Sequence, residues 1–223
     1  MTRKNRSIQP CFIYHLIARF VGGEWFIKSD VERLAYLTLL RLYLQATDWR
    51  CFAYAIMSNH IHLALLAGGD SLRSWLRPVH NEFADWINAR SERNGAVFVR
   101  GPKMIGVQNE PDAVRRLVSY IHCNPVRAGV VSTADESSWT SHRAYLGEII
   151  SPSWLDVQLG LDRCRFSGGE ELDAFIRTTP VDRQALEAVL LNPPRRPGRP
   201  PKVANDECGS DFLPFEPTVL ASG

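Results

Sequence analysis

No two cysteines of this chain form a Cys-x-x-Cys pair. Cys11, Cys51, Cys123, Cys164 and Cys208 are scattered and odd in number. That argues against a disulfide framework and a structural zinc site, and it suits a reducing cytoplasm. No run reaches the ~18 apolar residues that a membrane helix needs. The basic start, Met1-Thr2-Arg3-Lys4-Asn5-Arg6, is not followed by the apolar core of a signal peptide. A soluble cytoplasmic protein with no membrane contact is expected. An excess of one charge is missing too. The 26 Lys and Arg against 24 Asp and Glu leave a net charge of +2, so any nucleic-acid footprint must be a local patch. There is no internal repeat.

The content is ordinary for a globular chain. Of 223 residues, 45% are hydrophobic and 22% charged, enough for a packed core in one sizeable domain with an extension, or in two small domains. Residues 11 to 20 are β-branched and aromatic, as a buried strand requires, and Gly22-Gly23 ends it. Asp30 is placed to cap a helix from Val31 to about Gln45, with Leu34, Leu37, Leu40 and Leu44 as its apolar side. Strands are expected over 51–57 and 60–66. A second helix, capped by Asp70 or Ser71, runs to about Ala89, with Pro78 inside it. Its aromatic stripe reads as core rather than as a stacking platform. Ala96–Val99 and Met104–Val107 read as short strands, and a third helix runs from Asp112 to Cys123 with Val114, Leu117, Val118 and Ile121 inward. This order is not a βαβ alternation. It suits an α+β fold, a mainly antiparallel sheet with helices packed on one face. Beyond residue 150, short helical stretches follow, the last over Val181–Leu191 behind a Thr179 cap. The composition then shifts to Pro, Arg and Gly, which reads as a disordered basic tail. The expected division is a catalytic domain over 1–150, a helical extension over 151–191 and a tail over 192–223.

The stretch around which the chain is organised is Tyr54-Ala55-Ile56-Met57-Ser58-Asn59-His60-Ile61-His62-Leu63-Ala64-Leu65-Leu66. On a strand, period two puts His60 and His62 on one face and Ile61, Leu63 and Leu65 on the other. Two neutral imidazoles held side by side on a rigid strand are good ligands for a divalent metal. Strand histidines that are half exposed and merely hydrogen-bonded share the same pattern.

A second stretch follows, Tyr120-Ile121-His122-Cys123-Asn124-Pro125-Val126-Arg127-Ala128-Gly129, and a third, Ser138-Trp139-Thr140-Ser141-His142-Arg143-Ala144-Tyr145-Leu146-Gly147. Together with Met57-Ser58-Asn59-His60-Ile61-His62, they resemble the motifs of the HUH-type tyrosine transposases, and within them the REP-associated tyrosine transposases. The resemblance spans roughly residues 10 to 178. It implies a ferredoxin-like core and metal-dependent cleavage and rejoining of single-stranded DNA at short palindromic hairpins. It also implies a covalent 5′-phosphotyrosine with release of a 3′-OH. A domesticated relative that holds hairpin DNA with little cleavage is the alternative, and a metal hydrolase using water at His60 and His62 is another.

In this reading Tyr120 is the nucleophile. A phenol's ordinary pKa of about 10 means that it needs a nearby positive field to ionise. Asn124, one helical turn later, would join His60 and His62 in holding Mg²⁺ or Mn²⁺. Asn124 also precedes Pro125, which disfavours helical geometry, so a helix C-cap is its other reading. Tyr54 and Tyr145 are weaker candidates for the nucleophile. Arg19, Arg100, Lys103, Arg115, Arg116 and Arg127 are the candidate phosphate contacts, each equally readable as a solvated charge. The stretch Arg195–Lys202 resembles an AT-hook with Pro197 replacing its first arginine. Single-stranded or hairpin DNA is the expected partner, in a nucleoid-associated protein, with a homodimer left open.

Overall fold

The structure, a computed structural model, describes residues 8–180 and 182–191. The basic tail expected over 192–223, with its hook-like stretch, lies outside the described residues. Four apolar segments, three of them buried almost without interruption, form the strands β1 (Ile13–Arg19), β2 (Arg50–Ile56), β3 (His60–Leu66) and β4 (Lys103–Val107). They pair in the order β2-β3-β1-β4, antiparallel at every junction. Helix α1 (Asp30–Leu44) joins β1 to β2, and α2 (Leu72–Arg90) joins β3 to β4. This is the ferredoxin-like βαββαβ order, as expected.

The expectation of helices on one face needs correction. Ile61, Leu63 and Leu65 of β3 pack with Tyr36, Leu40 and Leu44 of α1 and Trp75, Val79 and Phe83 of α2. The opposite face carries Ile13, Ala53, Ala55, Ala64 and Val107. It is covered by a second layer, α3 (Pro111–His122), α6 (Val157–Cys164), α7 (Gly169–Thr178) and α8 (Arg183–Glu187). Two single turns, α4 (Asn124–Arg127) and α5 (His142–Tyr145), lie between α3 and α6. The sheet is apolar on both faces, so both must be covered. The alanines leave room for α3 to approach with Val114, Leu117, Val118 and Ile121, all fully buried. A bulge between Cys51 and Ala53 puts Phe52 and Ala53 together on the α3 side. The segments after residue 150 share this core. Gly160 and Gly169 let α6 and α7 close on Tyr145, because a Cβ at Gly160 would fall 1.7 Å from the Tyr145 hydroxyl and one at Gly169 1.9 Å from its carbonyl oxygen.

Smaller differences have local causes. The cap of α1 is Ser29, in a capping box with Glu32. Leu34 is 56% exposed, because it stands about 120° round the helix from Leu40 whereas Tyr36 stands about 40° away. Pro78 does not split α2. An interior proline costs about 3 kcal/mol, less than the burial of Trp75, Leu76, Val79, Phe83 and Ile87 at about 1.5–3 kcal/mol each for the aliphatic and Phe chains. Residues 96–99 form a single bridge, Phe20 to Phe98, rather than a strand. The last helix stops at Glu187, capped by Asp182 rather than Thr179, and the chain then runs along β4 with Leu191 N–H donating to the Gly106 carbonyl. Among the described residues no helix is long and apolar enough to cross a membrane.

Candidate active site

The antiparallel register of β1 and β3 builds the site. His60 lies opposite Arg19, His62 opposite Ile17, and Ala64 opposite His15. His15, Ile17 and Arg19 share the parity of His60 and His62, so His15 is the diagonal neighbour of His62 on the face that α3 covers. On β4, Lys103 lies opposite Ile17 and Ile105 opposite His15. A cavity of about 440 Å³ opens over this end of the sheet. Its walls include His15, Arg19, His60, His62 and Lys103 from the strands, Tyr120 from α3, and Arg183 and Glu187 from α8.

Tyr120 stands in the last turn of α3, half-buried, with its ring edge-on to His62 at 5.8 Å between centroids and to His15 at 5.9 Å. The His60 and His62 rings are 4.7 Å apart and perpendicular. The tyrosine and both imidazoles thus converge, as the sequence predicts. Asn124 joins them. Helix α3 ends at His122, Cys123 leaves helical geometry (φ −82°, ψ 5°), and Asn124 opens a fresh turn ahead of Pro125. The proline therefore does break the helix, and the break sets the Asn124 side chain beside the His60 ring. The same side chain donates a long bond of 3.4 Å to the Tyr120 carbonyl, but the C-cap of α3 is Cys123 rather than Asn124.

The basic residues sort sharply. Arg19 and Lys103 line the cavity. Arg127 lies on the nucleophile candidate itself, its guanidinium 3.8 Å from the Tyr120 ring centroid and donating to the Tyr120 carbonyl at 2.6 Å. Arg115, Arg116 and Arg100 are not among the cavity walls. Arg115 stands about 140° round α3 from Tyr120. It donates to the Cys164 carbonyl at 2.7 Å and covers Phe166, a tether to the extension. Arg116 is paired with Asp112 at 2.8 Å, and Arg100 lies in an exposed turn. Tyr54 and Tyr145 are buried in the core, Tyr145 donating to the Phe52 carbonyl.

Sequence reasoning missed His15, Arg183 and Glu187. His15 is fully buried, and its Nε2 lies 2.7 Å from His62 Nδ1 with the rings stacked. Burial, helped by Lys103, Arg127 and His60, lowers its pKa from 6.5 to about 3. Burial likewise holds His62 well below the ordinary imidazole range, aided by His15, His60, Arg127 and Arg19. His60 is lowered by burial, against the Asn124 hydrogen bond, which raises it. All three rings are thus neutral near pH 7, the state that leaves a nitrogen lone pair for a ligand.

Among the described residues no group of three or more His, Cys, Asp or Glu is arranged to hold a metal ion. The donor set for one is instead His60, His62 and the Asn124 amide oxygen. Its chemistry fits Mg²⁺ or Mn²⁺. The Nδ1 atoms of His60 and His62 are occupied by Asn59 Oδ1 at 2.6 Å and by His15, so Nε2 of each ring is the atom that would hold a metal.

No protein-family model matches the chain, and no curated protein matches it in sequence. Among solved structures, the fold matches that of a REP-associated tyrosine transposase bound to a REP hairpin. The TM-score is 0.53 and the identity 16%, over 70% of this chain and 93% of that one. A candidate transposase from Deinococcus radiodurans R1 aligns with a TM-score of 0.37 and 16% identity, over 48% of this chain and 87% of that one. The second score is too low to bear on the fold. The first meets, at the level of fold, the resemblance read from the sequence motifs.

Proposed function

We propose that this chain is a tyrosine transposase that cleaves and rejoins single-stranded DNA at hairpin elements. The observation that carries the reading is the convergence of Tyr120, His60 and His62 on one cavity with Arg19, Lys103 and Arg127 beside it and an Arg183–Glu187 ion pair on its wall. The hairpin bound by the structurally similar transposase supports the choice of substrate.

The Tyr120 oxygen attacks a backbone phosphorus. Its bond to phosphorus forms as the P–O3′ bond breaks, and the departing 3′ oxygen takes up a proton. The number of phosphoester bonds is unchanged, so attack by another 3′-OH reverses the step and joins strands. Arg127, over the Tyr120 ring, offsets negative charge developing on the phenolic oxygen. Arg19 and Lys103 hold the flanking phosphates. A divalent metal at His60, His62 and Asn124 would polarise the non-bridging phosphate oxygens. Because the cavity lies between a sheet face and a helix, the scissile strand must bend into it, which a single strand beside a hairpin does more readily than duplex.

The test is incubation of hairpin-bearing single strands with the protein and Mn²⁺. A 3′-end label should travel with the protein through denaturing electrophoresis, and a 5′-end label should appear on a shorter free strand. Cleavage with both labels free would point to hydrolysis by water, and binding without cleavage to a hairpin-holding protein.

A further inference from the structure

His15 is absent from the motifs that point to the site, yet it is bonded to one of the two histidines proposed as ligands. It reaches His62 diagonally across the β1–β3 ladder, with its Nε2 2.7 Å from His62 Nδ1 and the rings 4.9 Å apart at 28°. It is fully buried, and its own Nδ1 has no hydrogen-bond partner. A buried imidazole with an unpartnered nitrogen is costly, at about 1–3 kcal/mol. In the same chain, His122 and His142 bury both rings with every nitrogen bonded.

A hydrogen bond between two neutral imidazoles holds one hydrogen, so the pair has two arrangements. In one, His62 Nδ1–H donates to His15 Nε2, His15 carries its hydrogen on Nδ1, and His62 Nε2 has a lone pair. In the other, His15 Nε2–H donates and His62 must carry its hydrogen on Nε2, which leaves that atom unable to ligate. Only the first is compatible with a metal at His62 Nε2.

We infer that His15 is a positioning residue, which fixes the ring plane of His62 and accepts its Nδ1 hydrogen so that Nε2 faces the cavity as a ligand. This rests on the metal reading proposed above. The unpartnered Nδ1 of His15 is the cost of that arrangement, since accepting at Nε2 forces the hydrogen onto Nδ1 in an apolar setting between the strands and α3. Partners of ligating histidines typically set metal affinity by 10–100-fold. His60 has a parallel support, with Nδ1 held by Asn59 Oδ1 at 2.6 Å, so the two ligands are oriented by different residues.

The test uses the full chain and two variants. His15→Phe keeps the ring volume but removes the acceptor, and His15→Gln restores an acceptor near the Nε2 position. Mn²⁺ affinity is measured by calorimetry without DNA, thermal unfolding checks the fold, and nitrogen-15 NMR of labelled histidines reads the His62 tautomer with Mg²⁺ present. The expected result is a 10–100-fold weaker Mn²⁺ affinity in His15→Phe with folding intact, partial recovery in His15→Gln, and a His62 hydrogen on Nδ1 in the parent protein. Equal Mn²⁺ affinity in the parent and His15→Phe overturns the role of His15 alone. So does a His62 hydrogen on Nε2 in the Mg²⁺-loaded parent. A parent protein with no measurable Mn²⁺ binding overturns the metal site and the role of His15 together. If His15→Phe fails to fold, the His62 tautomer in the parent decides.

Discussion

The molecule holds two histidine clusters on the same side of its sheet. In one, the Ser141 hydroxyl, His122, His142 and Asp173 form a chain with contacts of 2.7, 3.2 and 3.2 Å. Both rings are fully buried and all four ring nitrogens are bonded. One sequence of donors satisfies it throughout, from the serine O–H to His122 Nε2, from His122 Nδ1–H to His142 Nδ1, and from His142 Nε2–H to the carboxylate. It ties the end of α3 to β2, whose Tyr54 N–H donates to Ser141, and to α7 through Asp173. In the other cluster, His15 keeps an unpartnered nitrogen and His60 and His62 open on a cavity beside Arg19, Lys103 and Arg127. Residue type is alike in the two, and His15 and His62 are as buried as His122 and His142, with only His60 partly exposed. Spare valence facing a cavity is what differs, and a polar network closed on itself is scaffold whereas an open one is available for chemistry.

The largest effect should come from opening the second cluster further. His60→Ala or His62→Ala removes a proposed ligand, so cleavage should fall by about 10²–10³-fold or more and Mn²⁺ affinity should collapse, with folding retained. A chelator should produce the same loss in the parent protein. Calorimetric titration giving unchanged Mn²⁺ affinity in both variants would erase the distinction between the clusters.

The converse change comes next. His122→Leu leaves His142 Nδ1 without its partner, at a cost of about 1–3 kcal/mol for the stranded group, while the Ser141 hydroxyl keeps its contacts with the Tyr54 backbone. Denaturant unfolding should register the loss, while Mn²⁺ affinity in the folded protein stays within about twofold. A variant of normal stability with weakened metal binding would assign this cluster to the site.

Acid should act on the closed scaffold as well. Burial lowers His122 well below the ordinary range, and it lowers His142 against the raising effect of Asp173. His80, partly buried and stacked on Phe98, falls from 6.5 to about 4 through desolvation. Such groups take up protons in the unfolded chain before the folded one. Their contribution to stability is therefore complete above pH 6.5 and is lost as pH drops toward the folded values. For His80 the loss at pH 5 is about 1–2 kcal/mol. His80→Phe should flatten the decline in unfolding free energy between pH 6.5 and 5, and an unaltered slope would remove His80 from the account.

The smallest effects concern DNA. Lys103→Ala and Arg19→Ala should each weaken hairpin binding and reduce the slope of log affinity against log salt by about one. Arg115→Ala and Arg116→Ala should leave that slope alone, because their side chains are engaged with Cys164 and Asp112. Gel-shift titrations at several salt concentrations separate the two pairs.

The sequence carries much of this. The strand parity that aligns His60 with His62 is local, and so is the turn spacing from Tyr120 to Asn124, so both are readable without a fold. The second helical layer is not, because it depends on the alanines of β2 and β3 meeting the stripe of α3 across a long separation. His15 left a faint trace, a lone histidine of the same parity as Arg19 in an otherwise apolar strand, but its partner is fixed only by the β1–β3 register. Arg183 and Glu187 left none, since they reach the cavity only after the chain returns past α7 to the edge of β4. Arg115 misled because α3 has two polar flanks and only the packing of α6 shows which faces away, and Arg116, about 40° round the helix from Tyr120, misled because its charge is taken up by Asp112.

The most direct measurement compares the parent protein with Tyr120→Phe on a 3′-labelled hairpin-bearing single strand with Mn²⁺. Tyr120→Phe should bind the strand and Mn²⁺ with nearly parental affinity and give no label on the protein after denaturation, while the parent protein gives a labelled band whose tryptic fragment contains Tyr120. A labelled adduct of normal yield in Tyr120→Phe would contradict the assignment of the nucleophile, and with it the proposed chemistry of the site.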